Sequence, residues 1–323
     1  MLCGMLGCGT PTADAAPDQL QVCTYNMGLH AYRIGHPANM DADGTRHRLF
    51  AGSDELRDSI AHLQQFFNRD YDVLCLQENY PFLDDGSTVS SANELIYPLF
   101  SKQSDWSGED WPLHYYAPSG QSLKVIVTKY PQSEQSAHDF ESQYYGPGIE
   151  EGTNKQGWIQ CTIVPNGKRI VIVNTHLNAY GNEEGTACRM SQLAQLADSL
   201  AGEENVILCG DFNACVREGS DVKNQWVFTP DLYDTLTENG YTLLNGGGAS
   251  YETTLFLLLQ RADDPDNPTG QARYIDVSDR LLPIDNIAIK GDLTGFAGVW
   301  YEDAENRLSD HYPFAATIKL PGD

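Results

Sequence analysis

The stretch Val206-Ile207-Leu208-Cys209-Gly210-Asp211-Phe212-Asn213 closes an apolar run on a carboxylate and an amide two residues apart. An Asp placed there can take a proton from water or hold a cation, and an Asn can donate to a developing negative oxygen without adding charge. The short, β-branched run predicts a buried strand. Gly210 predicts a sharp turn, and alternation sends Asp211 and Asn213 to one side. By itself G-D-x-N is an ordinary turn. Five further strand-like runs carry polar residues at an end: Asn26, Gln77-Glu78, Asn174-Thr175-His176, Asp285 and Asp310-His311. Strands that meet one sheet edge gather such groups around one cleft. Two carboxylates forced together there, such as Glu78 and Asp310, repel unless a cation or a proton lies between them. Hard oxygen ligands beside amides suit Mg²⁺, or Mn²⁺ in its place. His176 and His311 can then donate to phosphate oxygens while Asp211 positions or deprotonates an attacking water.

The elements that would carry these groups follow from periodicity. Residues 20–26 predict the first strand, and a loop to about residue 50 follows, whose His30, His36 and His47 read as surface or loop-packing histidines. Leu56, Ile60, Leu63, Phe66 and Phe67 recur at helical spacing over 54–67, with Ser53 as N-cap. Residues 72–78 predict a second buried strand, 92–100 a short helix and 123–128 another strand. The polar segment 132–156 reads as a long functional loop. In and beside it, Tyr144, Tyr145 and Trp158 are either stacking platforms for a ligand or structural aromatics. A hairpin turns at Pro165-Asn166-Gly167, and an amphipathic helix over 189–200 leads into the strand that ends at Asp211. Residues 216–283 give few signals, and strands over 283–289 and 312–319 close the pattern. Strand, helix, strand order points to an α/β layer fold. With no repeat and no internal boundary, residues 20–323 read as one catalytic domain behind a 1–19 signal remnant or disordered linker.

Composition limits the partners. Lys and Arg number 20 against 45 Asp and Glu, a net charge of −25. Such a field repels polyanions and argues against tight non-specific nucleic-acid binding, although a nuclease making brief contact stays open. The eight Cys show no zinc spacing; Cys23, Cys75, Cys161 and Cys209 fall in apolar runs and read as core thiols. No run is long and apolar enough for a membrane-spanning helix. Met5-Leu6-Gly7-Cys8 is similar to an imperfect lipobox with Cys8 as the acylated residue, which predicts an extracytoplasmic chain, secreted or lipid-anchored. The alternative is the N-terminus of a cytoplasmic protein.

Taken in order, Thr24-Tyr25-Asn26, Leu76-Gln77-Glu78, Asn174-Thr175-His176-Leu177, Gly210-Asp211-Phe212-Asn213, Ile284-Asp285-Asn286-Ile287 and Ser309-Asp310-His311 resemble the motif set of the endonuclease/exonuclease/phosphatase superfamily, in which nucleases, inositol polyphosphate phosphatases and bacterial sphingomyelinases are found. The resemblance implies a four-layer sandwich, two packed and mostly antiparallel β-sheets flanked by helices. It implies that Asn26, Glu78 and Asp310 bind the metal, that Asp211 orients the nucleophilic water and that Asn213 and His176 bind phosphate. His311 would stabilise the pentacovalent state, oriented by Asp285. Asn154-Lys155-Gln156-Gly157 is similar to an Asn-Lys-Gly phosphate-binding element of the phosphatase and sphingomyelinase branches, with Gln156 as an extra residue. The expectation is a monomeric, Mg²⁺-dependent phosphodiesterase or phosphatase acting on a lipid headgroup or small phosphoester, with membrane-surface contact compatible. An extracytoplasmic nuclease is the alternative. An inactive binding module would require loss of a site residue, and all eight residues from Asn26 to His311 named above are present.

Overall fold

The computed structural model describes residues 18–26, 71–78, 82–84, 88–90, 114–116, 124–146, 155–180, 182–214, 230–245, 251–252, 281–282, 284–299 and 311–322. Residues 1–17 with Cys8, the three loop histidines, the expected helices at 54–67 and 92–100, Asn154 and Asp310 lie outside them.

The strands, in chain order, are β1 (Gln19–Asn26), β2 (Val73–Gln77), β3 (Phe82–Asp84), β4 (Thr88–Ser90), β5 (His114–Tyr116), β6 (Val125–Thr128), β7 (Ser133–Asp139), β8 (Gly157–Ile163), β9 (Ile170–His176), β10 (Val206–Asp211), β11 (Tyr241–Leu243), β12 (Tyr251–Glu252), β13 (Leu281–Leu282), β14 (Asp285–Lys290), β15 (Thr294–Val299) and β16 (Phe314–Lys319). Helix α1 (Glu183–Ser199) lies between β9 and β10, and α2 (Pro230–Glu238) between β10 and β11. One six-stranded sheet runs β15-β16-β1-β2-β6-β5 and the other β11-β14-β10-β9-β8-β7; β3-β4 and β12-β13 are separate two-stranded ribbons. Each large sheet is antiparallel except for one central parallel pair, β1 with β2 and β9 with β10. The α/β sandwich expected from the motif order is the fold observed.

Alternation sorts the apolar runs into layers. Ile170 and Ile172 of β9, with Ile207 and Cys209 of β10, join Leu20, Val22, Val73, Cys75 and Ile126 in the core between the sheets. Val171, Val173, Val206 and Leu208 point the other way, against Leu193 and Leu196 of α1 and Leu232 and Leu236 of α2. Continuous β-branched runs therefore mark strands buried on both faces. Cys23, Cys75, Cys161 and Cys209 are buried free thiols, as their setting predicted.

A polar bond network crosses this apolar interior just below its edge. The Asn174 Nδ2 group donates to the carbonyls of Leu76 (2.8 Å) and Val125 (2.9 Å) in the opposite sheet, and Gln77 Nε2 donates to Asn174 Oδ1 (2.7 Å) and Thr24 Oγ1 (3.0 Å). Gln77 and Asn174 are thus not cleft groups, as their places at strand ends had implied. They tie sheet to sheet, and a buried amide so engaged costs about 1–3 kcal/mol when its partners are left unpaired.

Three other expectations change. The segment after residue 132 opens with β7, an edge strand whose residues are mostly exposed and which is held by backbone pairing to β8, so hydrophobic periodicity could not reveal it. Helix α1 starts six residues before the expected Arg189, because the Asn182 side chain accepts from Gly185 N (3.0 Å) and Glu183 and Glu184 follow in the first turn. Gly210 makes no turn. It lies within β10, where a Cβ would stand 2.2 Å from the Thr175 carbonyl oxygen of β9. Gly210→Ala should therefore force the central parallel pair apart and lower stability by about 1–3 kcal/mol, the usual cost of overpacking. Urea denaturation checks this, and an unchanged midpoint would refute the close approach.

Candidate active site

Parallel pairing explains why the chemistry collects at one edge. β1 and β2 end side by side at Asn26 and Gln77, followed by Glu78, and β9 and β10 end side by side at His176 and Asp211. Their antiparallel neighbours start at that same edge: Asp285 opens β14 opposite Asp211, and His311 stands three residues before β16. Asn26, His176, Asp211 and Asp285 all continue the rows of side chains that form the inter-sheet core, so the core surfaces there as a polar cleft.

Asp211 is the hub. Its Oδ2 accepts from Asn26 Nδ2 (2.9 Å) and lies 3.5 Å from His176 Nε2 and 3.7 Å from His311 Nε2, while Oδ1 accepts from the Asn213 backbone N–H (2.8 Å). Behind His311, its Nδ1 is 2.7 Å from Asp285 Oδ2. Asn26 Nδ2 also faces Glu78 Oε1 at 3.4 Å. Burial, reinforced by the nearby Asp285 carboxylate, pushes Asp211 up to about 7 against the opposing pull of His311, Asn26 and the Asn213 N–H. Asp285 and Asp211 are sealed from solvent, whereas the His176 side chain is 22% exposed and faces the opening. Glu78 and Asn213 both hold left-handed backbone, φ 49° each, which Asn adopts readily and Glu seldom does.

The fit to a hard cation rests on the donor set. Asn26 turns its amide nitrogen to Glu78 and Asp211, so amide and carboxylate oxygens of the kind a hard cation takes stand together at this corner. Asp211, Asp285 and His311 also offer ligand atoms within 4.8 Å of one another. The 2.7 Å His311–Asp285 contact already occupies that second group, so the Asn26–Glu78 corner suits the cation better. Asp310, the third expected ligand, lies outside the described residues.

On the flank, Lys155 precedes β8 by two residues, and Thr175 Oγ1 donates to the Gly157 carbonyl at 3.3 Å, one strand over from the hub. Lys155 Nζ stands 3.7 Å from Asp139 Oδ2. Gln156, the extra residue of the Asn-Lys element, turns the other way, and its Oε1 accepts from Gln192 (2.6 Å) and Asn178 (3.1 Å) beneath α1. Trp158 is buried and stacked on His138 with ring centroids 4.7 Å apart, which makes it structural and no platform for a ligand.

Sequence reasoning missed the support under the hub. Arg189 is fully buried and donates to the carbonyls of Asn178 (3.0 Å) and Tyr180 (2.5 Å). Burial lowers its guanidinium to about 10, while Asp211 favours its charged form. A signal existed: Arg189 and Gln192 occupy the same three- and four-residue spacing as Gly185, Cys188, Leu193 and Leu196 on the buried face of α1.

Two packed sheets with amide, carboxylate and histidine groups at the ends of their central strands define a hydrolase-type α/β sandwich. The chain belongs to the Endonuclease/Exonuclease/phosphatase family, whose model matches residues 23–311 and whose members hydrolyse phosphoester bonds. It is similar to YbhP of Escherichia coli K12, 25% identical over 173 residues that cover 49% of this chain and 58% of that protein. The chain thus matches little more than half the length of that relative. A family structure from Beutenbergia cavernae DSM 12333 superposes with TM-score 0.57 at 15% identity over 94% of this chain and 72% of that one. A beta toxin structure from Staphylococcus aureus superposes with TM-score 0.52 at 18% identity, covering 92% and 99%.

Proposed function

We propose that the chain is a Mg²⁺-dependent phosphodiesterase or phosphatase that acts by direct attack of water on phosphorus. The observation that carries this reading is the convergence of Asn26, His176, His311 and the Asn213 N–H on the two oxygens of one buried carboxylate, Asp211. Asp211 Oδ2 takes the proton of the attacking water as the new P–O bond forms and the ester P–O bond opposite it breaks. His176, at the solvent side, and Asn213, through the amide hydrogen not used on Leu177 O, hold the phosphoryl oxygens. His311, fixed through Nδ1 by Asp285, presents Nε2 to the charge that builds on them. Asn26, Glu78 and Asp310 hold the cation, which when bound offsets negative charge on a phosphoryl oxygen. The net charge of −25 favours a small phosphoester or a lipid headgroup over nucleic acid.

The test is hydrolysis with Mg²⁺ across plasmid DNA, RNA, sphingomyelin, inositol phosphates and a bis-aryl phosphodiester. Glu78→Gln should raise the Mg²⁺ concentration for half-maximal rate by at least the 10- to 100-fold, roughly, that is lost with a group outside the coordination sphere. Excess Mg²⁺ or Mn²⁺ should recover part of the rate. Wild-type activity of that variant at low Mg²⁺ would remove Glu78 from the metal set.

A further inference from the structure

We propose that Arg189 and Gln192 of α1 are positioning residues for the reaction, which act through Asn178 and Leu177 to aim the side-chain amide of Asn213 at the reacting phosphate. This rests on the reading of the cleft as a phosphoester site, and it gives a part in that site to two buried residues of the helix behind it.

The path from helix to site is continuous in hydrogen bonds. Just past β9, the Leu177 N–H donates to the Asp211 carbonyl (3.0 Å), and the Leu177 carbonyl accepts from Asn213 Nδ2 (3.0 Å). That carbonyl shares its peptide group with the N–H of Asn178, which donates to Gln192 Oε1 (2.9 Å). One peptide plane therefore carries Asn213 on its oxygen and Gln192 on its hydrogen. A peptide is planar and stiff, so a tilt set at the Gln192 end is passed to the Asn213 end. Arg189 fixes the next peptide: Nη1 donates to the carbonyls of Asn178 (3.0 Å) and Tyr180 (2.5 Å), and Nη2 to Thr186 Oγ1 (3.1 Å).

The far end of this path is anchored. Gln192 Nε2 donates to Gln156 Oε1 (2.6 Å) and to the Ser142 carbonyl (3.0 Å). Asn178 Nδ2 donates to the same Gln156 Oε1 (3.1 Å) and to the Tyr144 carbonyl (2.6 Å), and its Oδ1 accepts from the Tyr180 N–H (3.0 Å). Asn178, Arg189 and Gln192 are fully buried. Three segments thus meet on the buried face of α1: one after β7, one before β8 and one after β9. The Leu177–Asn178 plane cannot tilt without disturbing bonds to the other two. An apolar residue at 189 would leave the carbonyls of Asn178 and Tyr180 without that donor. A buried guanidinium supplies it at a desolvation cost that mere filling of space would not demand.

The chemistry of an amide gives this grip its consequence. The NH₂ group carries two hydrogens in one plane, so tying one to the Leu177 carbonyl sets the direction of the other. The other is the hydrogen that Asn213 offers to a phosphoryl oxygen. A misplacement of such a group by about 1 Å lowers the rate by roughly a hundredfold, even when its cause lies far from the reacting atoms.

The test is a pair of double-mutant cycles. Arg189→Met and Gln192→Met are made alone and together with Asn213→Ala, and kcat/KM is measured with Mg²⁺ on an ester that the wild type cleaves, with circular dichroism to show that each chain is folded. Each Met variant should lose about 10- to 100-fold where Asn213 is present. Most of that loss should vanish where Asn213 is already alanine, because residues acting as one unit are non-additive. Equal factors in both backgrounds would overturn the proposal, since a general loosening of the fold multiplies. Should a Met variant fail to fold, Arg189→Lys or Gln192→Glu enters the same cycle with the same two outcomes. A second readout needs no turnover. In chains carrying isotopically labelled asparagine, the Asn213 side-chain amide is assigned in the NMR spectrum by its absence from Asn213→Ala. Its two protons should resonate well apart in the wild type, one being held on the Leu177 carbonyl, and both Met variants should draw them together. Unchanged proton shifts would overturn the proposal. If the wild type cleaves no ester, the hydrolytic reading fails separately, and the NMR measurement decides the positioning by itself.

Discussion

Replacing His311 by alanine is expected to lower kcat by roughly a hundredfold or more, the scale of losing one oriented donor to a charged transition state. The expectation comes from its placement: His311 is buried at the edge where both sheets converge, with Nδ1 held 2.7 Å from Asp285 and Nε2 turned toward Asp211. Asp285→Asn keeps the volume but removes the charge that orients the ring, so it should lose a large part of the same factor. The double variant should be little slower than His311→Ala alone, because two residues acting as one unit are non-additive. Rates of the three variants on any cleaved substrate, with circular dichroism to show that each is folded, decide the matter. Multiplicative losses would mean that Asp285 and His311 act apart, and the shared site would fail at its centre.

Asp211→Asn should be at least as damaging, with kcat down by about 10²–10⁴, the range for removing a general base. It should also change stability in the opposite sense. Burial and the Asp285 carboxylate raise Asp211 to about 7, well above the roughly 3.9 of an unfolded aspartate. Without metal, the folded chain holds a proton that the unfolded chain has already released. The Asp211 contribution to stability is thus fully present below about pH 4 and is lost as pH rises to about 7. Tm of the wild type in EDTA should fall relative to that of Asp211→Asn between pH 5 and pH 8. Mg²⁺ should restore part of it in the wild type, because a cation offsets the charge that burial penalises. A parallel pH course for the two chains would refute the burial argument.

How far the sequence carried depended on what each residue does. Asn26, His176, Asp211 and Asp285 were legible because each ends or opens an apolar run, and a run buried on both faces announces itself in composition. Gln77 and Asn174 stand in equally prominent places, yet they point inward and join the sheets. Their neighbours on the opposite sheet decide that, and a single strand does not encode them. β7 was hidden because an edge strand held by backbone bonds needs no apolar face. Arg189 is the instructive miss, for it occupied a core position of a helix in plain view. A charged residue at buried spacing is a stronger pointer to a site than its low hydrophobicity makes it look.

The pairing of β1 with β16 joins Gln19 to Lys319, close to the two ends of the described chain, and β16 is inserted between β1 and β15. A ribosome making this protein therefore releases every other described part of the sandwich before the strand that closes the first sheet. Until β16 arrives, β1 offers an open edge on the side away from β2. Pairing across so much sequence is slow to find, because the loop entropy must be spent before the contacts form. A chain interrupted before Phe314 lacks the strand that covers β1 and exposes that sheet edge.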